Sequence, residues 1–207
     1  MVPSPEMAKA AKYPGPTFAK SRLVTATIPV NSTWRRIYET RFPNPLGYGP
    51  GLSRFSDPTG KAFGLLYMGA SLKVAFVETI LRDRADGRGD DCLIEMNELE
   101  ARSVATITPN APLTLVNLTR DGPIKMGIPS DVVGARDQSL AQHWSVAFHD
   151  HPSQPDGVLY PSRLNEERCI ALYDRAIGKL TATATPRLLD CDIELAAILN
   201  DLEIAIV

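Results

Sequence analysis

The stretch Phe63-Gly64-Leu65-Leu66-Tyr67-Met68-Gly69-Ala70-Ser71-Leu72-Lys73-Val74-Ala75-Phe76-Val77-Glu78-Thr79-Ile80-Leu81-Arg82-Asp83-Arg84 joins two hydrophobic patterns end to end. Phe63 to Met68 is a short apolar run closed by Gly69, which reads as a strand. From Ser71 the apolar residues Leu72, Ala75, Phe76 and Ile80 recur at helical spacing, which predicts a helix over Ser71 to Arg84 with one buried face. Ser71 is the expected N-cap, because its hydroxyl accepts from a free N–H of the first turn, and Ala85-Asp86-Gly87 is the expected stop.

Working outward, further strands are expected at Leu23 to Val30, Cys92 to Met96, Val104 to Thr108, Leu113 to Leu118, Gly157 to Tyr160 and Arg168 to Tyr173. A second helix starts after Ser139 and places Leu140, Trp144, Ala147 and Phe148 on one stripe. A third covers Asp190 to Asp201, ahead of an apolar end, Ile204 to Val207, that suits an edge strand. Strands and helices mix without a regular βαβ rhythm, so the fold class is α+β, one domain with a mixed or antiparallel sheet and flanking helices. Residues 1–21, with four Pro, read as an N-terminal leader, and residues 22–207 as the domain.

The 207 residues carry 22 Lys and Arg against 24 Asp and Glu, and 44% are hydrophobic. Such a balance excludes a disordered chain and speaks against a basic nucleic-acid binder. The charge is uneven: residues 1–42 hold seven Lys and Arg (Lys9, Lys12, Lys20, Arg22, Arg35, Arg36, Arg41) against Glu6 and Glu39, a net +5, which leaves −7 for the remainder. That segment is either a solvated basic arm or a source of cations for an anionic ligand. Cys92, Cys169 and Cys191 are odd in number and lack a CxxC, which fits a reducing, cytoplasmic compartment. The N-terminus lacks the pattern of a signal peptide. Ser103 to Thr119, the longest uncharged stretch, has two Pro and many polar residues and is no membrane span.

Candidate chemistry concentrates in a few places. Gly47 to Pro58 holds three glycines in five positions, which lets backbone approach a ligand or simply makes a turn, and its spacing is not that of a P-loop. Glu78 is a carboxylate among Val74, Val77 and Leu81, so it requires a ligand or a partner such as Arg82. Tyr160-Pro161-Ser162-Arg163 ends a strand and offers three polar groups together, as a binding group or a plain turn. His143, His149 and His151 do not complete a metal set, and no GxSxG elbow exists.

Taken in order, Trp34-Arg35-Arg36-Ile37-Tyr38, Ser53-Arg54-Phe55-Ser56-Asp57-Pro58, Leu66-Tyr67-Met68, Ala75-Phe76-Val77-Glu78-Thr79 and Asp156-Gly157-Val158-Leu159-Tyr160-Pro161-Ser162-Arg163 resemble the RES domain, over about Ser32 to Ala176. The resemblance implies an ADP-ribosyltransferase-like fold and the toxin half of a toxin–antitoxin pair. It implies that NAD⁺ is a substrate, consumed by phosphorolysis, by hydrolysis or by ADP-ribosylation of a protein. It also implies an antitoxin partner with an Xre-type helix-turn-helix domain. Carried over, the first motif Arg falls on Arg36, with Arg35 the register alternative, the Glu on Glu78 and the Ser on Ser162, as the catalytic set. Arg54 and Tyr67 fall on substrate-binding positions, with Tyr38, Tyr160 and Arg163 beside them. A non-catalytic module that binds NAD⁺ or ADP-ribose is the alternative from another class.

These assignments suit the chemistry of NAD⁺. Arginine grips pyrophosphate oxygens with a planar fork. A tyrosine ring stacks on the nicotinamide or its ribose. Breaking the nicotinamide–ribose bond passes through an oxocarbenium-like state, which a carboxylate stabilises. Ser162 is expected to hydrogen-bond a phosphate or the acceptor, and no metal is needed.

Overall fold

The computed structural model describes residues 13–49, 51–82, 84 and 92–207. The expected helix stop at Ala85-Asp86-Gly87 and the first twelve residues lie outside them. The decisive stretch folds as strand β3, Leu65–Gly69, followed by helix α1, Leu72–Phe76. Ser71 caps α1 as expected, its Oγ accepting from the Val74 N–H at 3.1 Å. Past Phe76 the ladder does not stay α-helical: Val77–Leu81 forms one turn of π-helix. The reason lies in the breadth of the apolar face. Leu72, Val74, Ala75, Phe76, Val77, Ile80 and Leu81 are all buried, more than one helical stripe accommodates. The inserted residue of a π turn widens the buried arc, and such turns are frequent at functional sites.

The other strands are β1 (Thr25–Ile28), β2 (Trp34–Glu39), β4 (Cys92–Ile94), β5 (Arg102–Pro109), β6 (Leu113–Asn117), β7 (Gly157–Pro161), β8 (Arg168–Tyr173), β9 (Leu180–Ala184) and β10 (Ile204–Ile206). Eight of them form one sheet in the order β1-β6-β7-β8-β3-β2-β5-β9. Its β6–β7 pair is parallel and the rest are antiparallel, so the sheet is mixed and the fold is α+β as expected. The apolar C-terminal end forms a strand, but in a separate two-stranded sheet, parallel to β4. The expected strand at Cys92 to Met96 stops at Ile94, and Met96–Glu100 is a short helix.

Cross-strand pairs share a face, so the register sorts the side chains. Arg35 pairs with Gly69, Gly69 with Cys169 and Cys169 with Tyr160, while Tyr67 lies two residues before Gly69. Arg35, Tyr67, Cys169 and Tyr160 therefore face one side. Trp34, Arg36 and Tyr38 face the other, opposite Ile107, Ala105 and Ser103. That second side is closed by the sheet's own curl, since Ile28 of β1 and Leu180 of β9, the two edge strands, join one apolar cluster with Trp34, Leu66 and Leu172.

The first side is covered by helices. Trp144 and Phe148 of α2 (Ser139–His149) cover Val158, Ala171 and Tyr173. Alongside, α1, the π turn and α3 (Asp192–Asp201) pack Phe76, Ile80, Leu195 and Ile198 on Ile37 and Val104. Phe18, within the segment read as leader, is buried edge-on against Trp144 at 5.0 Å. Between the two helical covers the sheet face is left open. Gly69 sits there because a Cβ would lie 2.4 Å from Val74 Cγ1 and 2.9 Å from the Ala75 nitrogen, so α1 rests directly on β3. No helix among the described residues is long and apolar enough to cross a membrane.

Candidate active site

The gap between the helical covers is a cavity of about 520 Å³. Its lining includes Arg35, Arg36, Arg54, Tyr67, Glu78, Tyr160 and Arg163, so it brings together six of the eight expected site residues and the register alternative Arg35. Arg82, Arg84 and Arg136 also line it, whereas Glu78 and Glu98 supply the carboxylates. Seven arginines against two carboxylates make the lining basic within a chain of net charge −2.

Glu78 leaves the π turn half-buried, and its Oε1 accepts a 2.6 Å hydrogen bond from Ser162 Oγ. Ser162, at the end of β7, is buried. Its Oγ also accepts from the Leu164 N–H at 3.2 Å, so the hydroxyl proton is directed at Glu78. Ser162 itself does not line the cavity; it reaches the site through Glu78 and borders a neighbouring groove. The partner of Glu78 is thus Ser162 rather than Arg82, the neighbour one turn along the sequence.

Arg54 is buried, and its guanidinium donates to the Val132 carbonyl at 3.5 Å. Burial lowers its pKa; Tyr160 and Glu78 oppose that shift, and the cations Arg163 and Arg82 add to it. Among the described residues no carboxylate forms an ion pair with Arg54. The loop that carries Arg54 is tied to the sheet by Tyr67. Its hydroxyl accepts from Ser53 Oγ at 2.8 Å and from the Phe55 N–H at 3.1 Å. Burial raises the Tyr67 pKa against those hydrogen bonds, so the phenol stays neutral. Asp57 closes the far side of the loop, accepting from Thr59, Lys61 and Ala62, and these bonds hold its carboxyl well below the usual range.

The doubled arginine divides between two environments. Arg35 shares the face of Tyr67 and Tyr160 and pairs with Glu194 of α3 at 2.9 Å. Arg36 starts from the opposite face, donates to the Pro45 carbonyl at 2.6 Å, and burial lowers its pKa to about 10. Tyr38 shares the face of Arg36 and packs against the enclosed cluster, not into the cavity, which corrects its expected place in the site. Tyr160 is buried with its ring edge-on to Phe55 at 4.9 Å, and burial raises its pKa well above that of a free phenol.

The three histidines are occupied elsewhere. His143 Nδ1 lies 2.8 Å from the Ser139 carbonyl, His149 stacks on Phe63 at 4.4 Å, and His151 bridges Ser153 and the Ser21 carbonyl. Sequence reasoning missed Arg136 and Gln138 as lining residues, because they come from a loop with no pattern of its own. Arg82 carries a signal in its place one turn after Glu78, one that points equally well to an ion-pair partner.

Comparison with known proteins places the chain in a family. The family model described as RES domain matches residues 18–194. A protein of Sinorhizobium fredii (strain NBRC 101917 / NGR234) named "Probable toxin y4kH" is 41% identical over 127 residues, 61% of this chain and all of that protein. The solved structure of the M. tuberculosis MbcT-MbcA toxin-antitoxin complex matches with a TM-score of 0.62 at 19% identity, covering 82% of this chain and 92% of that one, a likeness of fold. The chain belongs to the RES domain family.

Proposed function

We propose that the chain is the toxin of a toxin–antitoxin pair and consumes NAD⁺ by breaking its nicotinamide–ribose bond. The observation that carries this reading is Glu78, aimed by Ser162 into a cavity lined by seven arginines and by only one other carboxylate, Glu98. The relative named a probable toxin and the fold shared with a toxin–antitoxin complex support the biological role.

In this reading Arg54 and Arg35 hold the pyrophosphate, each through a planar fork of donors. Arg35 takes the place of the first motif arginine because it shares the cavity face with Tyr67, whereas Arg36 is engaged by Pro45. Tyr67 fixes the Arg54 loop and lends its ring to the nicotinamide ribose. The C1′–N bond breaks with both electrons passing to the pyridinium, so neutral nicotinamide departs without a general acid. Positive charge develops on the ribose, where the Glu78 carboxylate stabilises it. Water then adds at C1′ and loses its proton to solvent, or phosphate adds through one of its anionic oxygens. Ser162 orients Glu78 rather than contacting a phosphate, since its proton is already directed there.

Purified protein incubated with NAD⁺, with and without phosphate, tests the reading by nicotinamide release. Wild type releases nicotinamide, and Glu78→Ala slows release by about 100-fold or more, the order lost when a charge-stabilising group is removed. Equal release by the two proteins overturns it. Labelled NAD⁺ in a lysate separates degradation, seen as bulk loss, from ADP-ribosylation, seen as a discrete labelled protein. Expression in a bacterial host, alone and with a helix-turn-helix partner, tests toxicity and its neutralisation.

A further inference from the structure

The helix that carries Glu78 and the hairpin that carries Ser162 meet at two points. One is the Glu78–Ser162 bond itself, at 2.6 Å. At the other, Ser71 Oγ, the cap of α1, donates to Glu167 Oε2, also at 2.6 Å. Glu167 closes the turn that Ser162 opens: the Ser162 N–H donates to the Glu167 carbonyl at 2.7 Å, and the Glu166 N–H donates to the Ser162 carbonyl at 3.0 Å. Glu166 takes a left-handed φ of 60° to complete that turn. Next to it, the Ala70 N–H donates to the Arg168 carbonyl at 2.9 Å. The two ends of the helix segment, residues 71 and 78, are thus each pinned to one end of the turn, residues 167 and 162.

A single hydrogen bond leaves a carboxylate free to swing about its own side-chain torsions. A second tie, fixed to the helix cap, sets where along β7 and β8 the helix rests, and so the distance from Glu78 to Ser162. We propose that Glu167 is a positioning residue, acting through Ser71 to hold Glu78 in register with Ser162. What the role needs is an acceptor oxygen at this reach for the Ser71 hydroxyl; a carboxylate makes that bond shorter, and a side-chain amide oxygen still makes it. Its catalytic consequence rests on the NAD⁺-cleaving reading of the site.

The test compares wild type, Glu167→Ala, Glu167→Gln, Ser162→Ala and the double variant Glu167→Ala with Ser162→Ala. Two readouts are taken: kcat and KM for nicotinamide release from NAD⁺, and the pH titration of the Glu78 side-chain carboxyl by ¹³C NMR. Glu167→Ala lowers kcat about tenfold and leaves KM within about twofold, because geometry at the reacting centre is lost and binding is not. Glu167→Gln restores most of the rate, its amide oxygen still accepting from Ser71. The double variant is no slower than Ser162→Ala, and the Glu78 titration moves in the same direction in Glu167→Ala as in Ser162→Ala. Multiplying losses in the double variant, or an unmoved Glu78 titration, overturns the proposal. Should wild type release no nicotinamide, the functional reading fails, while the Glu78 titration still decides whether Glu167 positions it. Where Glu167→Ala does not fold, Glu167→Asp, with the carboxylate drawn back by one methylene, takes its place in the same comparisons.

Discussion

Glu78 and Ser162 stand 84 residues apart in the chain and 2.6 Å apart in the fold, the serine hydroxyl donating to the carboxylate. The contact joins the π turn to the end of β7, beside the sheet face left open between the helical covers. Removing the hydroxyl leaves Glu78 with its charge but without its aim. Ser162→Ala is expected to lower kcat for nicotinamide release by about 10- to 100-fold with KM nearly constant, the size of effect that misplacing a reacting group produces. Initial rates over a range of NAD⁺ concentrations decide it. A rise in KM at constant kcat would instead make Ser162 a substrate-binding group.

The Tyr67 hydroxyl acts through the loop it holds, apart from what its ring does in the cavity. Tyr67→Phe keeps the ring and removes the acceptor of Ser53 Oγ and the Phe55 N–H. An orphaned buried donor costs about 1–3 kcal/mol. For a chain of this size that lowers the thermal midpoint by roughly 2–12 °C. Arg54, released with its loop, holds substrate less well, so KM rises more than kcat falls. Calorimetry and steady-state kinetics on the same preparation check both halves.

The same residues show what the sequence makes legible. Glu78 was visible as a carboxylate among apolar neighbours, and Ser71 as a cap, because both signals are local. Arg54 and Tyr67 drew attention through the RES resemblance, although the hydrogen bond that links Tyr67 to the Arg54 loop is a tertiary fact. Strand β2 escaped prediction because Trp34-Arg35-Arg36-Ile37-Tyr38-Glu39 has an apolar group and an arginine on each face, so neither alternation nor a continuous apolar run appears. Strand β9, Leu180–Ala184, is half exposed and rich in Thr and Ala, which leaves only its pairing with β5 to define it. The π turn was hidden by the same apolar breadth that causes it, since every short window still reads as helix.

Asp57 ties stability to pH. Its carboxyl accepts from the Thr59 hydroxyl and from the N–H groups of Ala62, Lys61 and Thr59, and these bonds lower its pKa in the fold. A group whose folded pKa is depressed contributes stability above its unfolded value, near ~4, and loses it as pH falls below that. Urea midpoints measured from pH 7 down to pH 3 should therefore drop for wild type below about pH 4. Asp57→Asn should be less stable at pH 7 and show a shallower drop. Parallel curves for the two proteins would remove Asp57 from the account.

Arg35 and Arg36 are adjacent, and only the register of β2 distinguishes them. Arg35, opposite Gly69, faces Tyr67 and Tyr160 across the cavity; Arg36, opposite Ala105, leaves from the face of the enclosed cluster and donates to Pro45. If Arg35 is the clamp proposed above, Arg35→Ala lowers the apparent affinity for NAD⁺ by about 10- to 100-fold, the range for a charged hydrogen bond to substrate. Arg36→Ala unties the 40–49 loop instead, so the thermal midpoint falls and KM changes less than in Arg35→Ala. Glu194→Gln, which frees Arg35 from its ion pair, should leave KM unchanged or lower it, because the pyrophosphate no longer competes with a carboxylate for the same guanidinium. Titration of each variant with NAD⁺, followed by nicotinamide release, ranks the three. A greater loss of affinity in Arg36→Ala than in Arg35→Ala would return the clamp to Arg36.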